Sequence, residues 1–191
     1  MNIFLRLKHW QLFLLQFGIP FTIQIITMAS IVSSRSPVLV FELFPVIMIL
    51  FAGALFGWIY AVATNLHKKL PDTVSMNLTR LKIFLFIPLF YIVVIGMLFF
   101  GFFKHLLDFG SPPSNPTLII SFALIIIPIH LFSMFCIFYC LWFTAKSLKS
   151  VELQKPVTFS DFVGEFFLIW YFPLGVWFLQ PRINKLFEES Q

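Results

Sequence analysis

Four stretches of this chain run apolar for longer than the roughly 20 residues a helix needs to cross a bilayer's hydrocarbon core. They fall at about 10–32, 38–65, 83–103 and 117–144. No soluble fold accommodates four such segments in 191 residues. The expected fold class is therefore all-α, a polytopic membrane helix bundle, with the whole of 1–191 forming one integral membrane domain. Composition agrees: 60% of residues are hydrophobic and 11% charged, against about half and a quarter in soluble domains.

The first segment follows Arg6 and Lys8, as a signal peptide would. It is longer than a signal core and carries Gln16, Pro20 and Gln24, so an uncleaved first helix is expected. A fifth apolar stretch, 162–179, is of marginal length and is interrupted by Phe172-Pro173-Leu174-Gly175. It reads as a span or as a re-entrant hairpin. A faint internal echo relates Pro71-x-Thr73-x-Ser75 to Pro156-x-Thr158-x-Ser160, and Pro88-Leu89 to Pro173-Leu174. It tips the reading toward five spans, with the fifth behaving as the third does.

Charge sets the orientation. Arg6, Lys8, Lys68, Lys69, Arg80, Lys82, Lys146, Lys149 and Lys155 fall on one side of a four-span arrangement, and Arg35 and Lys104 on the other. The positive-inside rule then puts the N-terminus in the cytoplasm of a cytoplasmic (inner) membrane. The net charge of +5 is explained by this topology and by anionic headgroups, and nucleic acid is not an expected partner. The expected partners are the lipid bilayer and other membrane proteins or further copies of the chain.

Polar residues inside apolar helices are the functional candidates, because lipid penalises them. In the fourth segment His130, Ser133, Cys136, Cys140 and Thr144 project to one side, with His130 near mid-depth. Gln16, Pro20, Gln24 and Thr27 share a face of the first. Two such stripes facing one another would line a path or lock the bundle, and periodicity does not choose between these. Glu165 opens the fifth segment and is a candidate for an ion or proton under the Pro173 break, or an ordinary interfacial acid. Glu42 and Arg35 are placed to pair at the opposite interface. Gly53-x-x-x-Gly57-x-x-x-Ala61 forms a small-residue stripe suited to close helix packing, within the chain or against a partner.

No metal-ligand spacing, nucleophile elbow, phosphate-binding glycine loop or C-x-x-C occurs, and no cofactor is expected. Two functions remain. One is a non-enzymatic subunit or accessory protein of a membrane complex; the other is a small transporter or channel using a polar path around His130 and Gln24.

Overall fold

The computed structural model describes residues 3–34, 38–110 and 116–188. After a 3-10 turn at Ile3–Leu5, the chain forms α1 (His9–Phe13), a π-helical turn (Leu14–Gly18) and α2 (Ile19–Ser34). Then come α3 (Val38–His67), α4 (Leu78–Phe109), α5 (Pro116–Leu153), α6 (Phe159–Trp170) and α7 (Phe172–Glu188). There is no strand among the described residues. Four helical stretches are long and apolar enough to cross a membrane: His9–Ser33, Leu43–His67, Leu78–Leu106 and Ala123–Leu153. These are the first four segments expected from hydropathy, and they are compatible with a multi-pass membrane protein.

Local chemistry sets the helix ends. Asn77 caps α4 by accepting a hydrogen bond from the Arg80 backbone N–H at 2.9 Å, satisfying one of the orphan donors of the first turn. At the other end Gly110 takes the left-handed conformation (φ 67°) that closes a helix C-terminus. Thr158 and Asp161 form a reciprocal capping box at the start of α6. Pro45, Pro88 and Pro128 lie inside α3, α4 and α5 without ending them, a tolerance typical of apolar helices packed on neighbours.

The fifth segment departs from the expected span. It breaks at Tyr171 (ψ 55°) into helices of 12 and 17 residues. Pro173, fitting the first turn of α7, starts a helix rather than continuing one. The break is tight: a Cβ on Gly175 would run into the Leu168 carbonyl, so only glycine lets the two helices approach. Further along, Arg182 of α7 bonds Glu165 of α6 at 2.7 Å, and the Lys69 ammonium donates to the Leu186 carbonyl at 2.5 Å. The hairpin therefore returns to the end of the bundle from which it set out. The internal echo has no structural counterpart either, since Pro88 is interior to one long helix while Pro173 follows a turn.

Packing is uneven along the bundle. At the end bearing the α3–α4 connection, Trp58, Ile59, Val62 and Leu66 meet Leu81, Phe143, Leu148, Phe162, Val176, Leu179 and Ile183 in one buried core. Toward the other end apolar side chains are exposed, Phe90, Met97 and Phe99 of α4 and Ile120, Leu124 and Ile127 of α5 among them.

The small-residue stripe divides accordingly. Ala61 is fully buried, and the space over Gly57 is filled by the Phe4 ring, 3.1 Å from where a Cβ would stand. Gly53 is open, with nothing within 4 Å. Gly57→Leu is expected to displace Phe4 and cost about 1–3 kcal/mol by overpacking, more than Leu55→Ala. Equal unfolding midpoints in detergent for the two variants would remove Gly57 from the packing argument.

Candidate functional site

His130 does not face the first helix. α2 packs along α3, whereas α5 runs against α4, α3 and α6. The imidazole points toward α4, where its Nδ1 lies 2.9 Å from the Tyr91 hydroxyl and the two rings are tilted with centroids 5.5 Å apart. This pair lines a cleft of about 1180 Å³ between α4 and α5, closed at its back by Met48 of α3. Ser133 and His105 are the other polar-bearing residues of its wall, and Ile92, Ile95, Phe99, Phe102, Ile126 and Ile137 are among the apolar ones. Many of these side chains, Met97, Leu98, Ile127 and Leu131 included, are also exposed on the bundle's flank, so the cleft opens sideways.

Gln24 takes no part in that wall, and Gln16 is consumed elsewhere. It is 1% exposed and donates to the Phe51 carbonyl of α3 at 3.3 Å, which locks the first helix to α3. His130 and Gln24 are not brought together: α2 packs on α3, while His130 faces Tyr91 of α4.

Glu165 is buried, and its charge is already answered. Oε1 accepts from Lys149 at 3.1 Å and from Arg182 at 2.7 Å; Arg182 also makes a two-pronged contact with Glu152, at 2.8 and 2.5 Å. Burial pushes the Glu165 carboxyl up, but the hydrogen bonds from Arg182 and Lys149 outweigh it and hold the group below the usual carboxylate range. The Arg182 guanidinium is in turn raised further, first by its bond to Glu152. Four residues from α5, α6 and α7 thus form a neutral clamp rather than a seat for a free cation. Arg35 of the expected Arg35–Glu42 pair lies outside the described residues. Among the described residues no three His, Cys, Asp or Glu side chains cluster as metal ligands.

Comparison with protein-family models, curated proteins and solved structures finds no match. The site must be read from its own chemistry.

Two functional-looking features escape a reading by periodicity. Tyr91 sits alone among apolar neighbours on α4, and only its mid-helix position opposite His130 on the next helix would have signalled it. Gln180, fully buried, accepts from the Trp58 indole N–H at 2.8 Å. Its amide donates to the carbonyls of Phe4 at 3.0 Å and Leu7 at 2.9 Å and to Asn184 Oδ1 at 2.7 Å. It ties the N-terminal segment, α3 and α7 together.

Proposed function

We propose that this chain is a multi-pass protein of a cytoplasmic membrane that acts as a non-enzymatic accessory subunit, assembling with other membrane components through the exposed apolar half of α4 and α5. The supporting observation is the contrast along the bundle. One end is closed by an apolar core, a charge clamp and a buried amide hub. Toward the other end apolar side chains stand exposed, Met97 and Phe99 of α4 and Ile120 and Leu124 of α5 among them. Catalysis is not part of this reading, because the ionisable groups of the closed end serve one another. Purification in mild detergent is expected to retain a membrane partner in fixed stoichiometry. A lone monomer that moves a solute when reconstituted would overturn it in favour of a transporter.

The topology follows the charge. Arg182 and Lys185 on the returning arm of the hairpin join the nine cations already assigned to the cytoplasmic face, leaving Arg35 and Lys104 opposite. At 1.5 Å per residue, α6 reaches only about 18 Å, short of a core about 30 Å thick. The α6–α7 hairpin is therefore read as re-entrant. Its turn exposes Trp170, Tyr171, Leu174, Trp177 and Phe178, a composition suited to the cytoplasmic leaflet. Single cysteines at Lys68 and Lys104 test the orientation, the native Cys136 and Cys140 being buried. An impermeant maleimide added outside is expected to label position 104 and spare position 68; the reverse pattern inverts the topology.

A further inference from the structure

The Tyr91–His130 pair carries one hydrogen more than it uses. A phenol and a neutral imidazole together hold two polar hydrogens, and their mutual bond consumes one. If Tyr91 donates to Nδ1, the spare donor is His130 Nε2–H; if Nδ1–H donates to the hydroxyl oxygen, it is the Tyr91 O–H. No other partner of either side chain occurs among the described residues. In both tautomers a donor is left over in an almost wholly apolar cleft, where an unmet polar group is expensive.

Depth restricts what can meet it. At 1.5 Å per residue, His130 has about 21 Å of α5 toward Pro116 and about 24 Å toward Lys146. If α5 spans the bilayer, the pair lies near its midplane. Phospholipid headgroups and ester carbonyls stay at the interfaces, well away from that level. A carboxylate would bring charge to mid-membrane. A neutral molecule that dissolves in the hydrocarbon core and carries its oxygen there meets both limits. The cleft adds shape: Tyr91, Phe99, Phe102 and Phe103 line it, offering ring faces and edges for a flat ring. Its side opening admits a long tail from the bilayer.

We propose that the α4–α5 cleft binds a quinone-class lipid, with a ring carbonyl accepting the spare hydrogen of the Tyr91–His130 pair and the isoprenoid tail leaving through the side opening. This assignment rests on the reading of the chain as a membrane-spanning accessory subunit, and it names what the cleft in its exposed half holds. The site is one of binding; no electron transfer is assigned to it.

Membrane vesicles containing the full chain are irradiated with a photoreactive azidoquinone, and the labelled peptides are identified. Label is expected on α4 and α5. Decylubiquinone should compete it away, while decylbenzene, which lacks the carbonyls, should not. The Tyr91→Phe/His130→Leu double variant removes both donors and keeps the apolar wall. Its labelling should need about tenfold more probe, the worth of one well-made hydrogen bond. Equal labelling of the variant, equal competition by decylbenzene, or absence of label from α4–α5 would each overturn the proposal. Carbonate extraction of the same vesicles separates the two levels of inference. Protein released by carbonate sinks the membrane reading and this assignment with it. Protein retained but unlabelled sinks the quinone alone.

Discussion

Arg182→Met is expected to destabilise the folded chain by about 3 kcal/mol and to flatten its loss of stability in acid. Arg182 is the common partner of Glu152 and Glu165, and the Glu165 side chain is only 7% exposed. Removing one member of a buried ion pair leaves the other charged and desolvated, a penalty of about 3–5 kcal/mol. The lower end applies because Lys149 remains 3.1 Å from Glu165. In the native chain the Glu165 carboxyl is held below its ordinary value. It therefore stabilises the fold above the usual carboxylate range of about 4, and that contribution is lost as pH falls through the depressed folded value. Without Arg182 the largest counterweight to burial is gone, so the carboxyl moves upward and the variant loses less stability on acidification than the native chain. Denaturant unfolding in detergent from pH 7 down to about pH 2 would show the native chain weakening more steeply than the variant below the usual carboxylate range. Adding Glu165→Gln to Arg182→Met should recover most of the loss. Parallel pH profiles for native and variant chains would refute the clamp.

This clamp illustrates what hydropathy does and does not encode. The long helices were legible because crossing lipid imposes a length and an apolar run that each segment must satisfy by itself. The segment expected over 83–103 became α4, Leu78–Phe109, longer at both ends. The additional turns carry Arg80 and Lys104, which hydropathy alone counts as outside. Glu165 was legible as an unusual acid, but its partners were not. Arg182 lies beyond the apolar stretch, and its link to Glu165 exists only because Gly175 allows the chain to double back against Leu168. The interruption at Pro173 was visible as a kink or turn, yet a two-residue difference in geometry decides between a bent span and a hairpin. The echo of Pro88-Leu89 pointed the wrong way because a proline's effect depends on its place in the helix.

The same limit applies to the candidate site. His130 was singled out by depth, which is a property of one helix. Polar residues grouped on the first helix point to a partner there, but consecutive antiparallel helices are the commoner neighbours. That argument favours Tyr91 on α4 over Gln24 on α2. Of the stripe Gly53–Gly57–Ala61, Gly57 and Ala61 are packed and Gly53 is open, with Phe4 rather than another helix filling the space at Gly57. An aromatic in the short N-terminal segment gave no sequence sign of reaching α3.

Gln180 binds that N-terminal segment most firmly, and Gln180→Leu is expected to cost about 2–5 kcal/mol. Leucine fills much of the volume but offers neither the acceptor used by Trp58 nor the donors used by Phe4 and Leu7. The Leu7 carbonyl keeps the Asn184 amide at 3.2 Å. The Trp58 N–H and the Phe4 carbonyl are left without this partner, and each stranded group costs about 1–3 kcal/mol. Trp58 is fully buried, so water does not replace the lost acceptor without opening the core. A double-mutant cycle separates this from simple misfit. Trp58→Phe removes the indole N–H itself, so in the Gln180→Leu background it should cost about 1 kcal/mol less than it does alone, within the usual range for residues in one network. Limited trypsin digestion gives an independent reading. With Phe4 and Leu7 released, cleavage after Arg6 and Lys8 should become faster while the sites in α5 stay protected. An additive cycle together with unchanged cleavage at Arg6 and Lys8 would mean that the N-terminal segment is held by the Phe4–Gly57 contact alone.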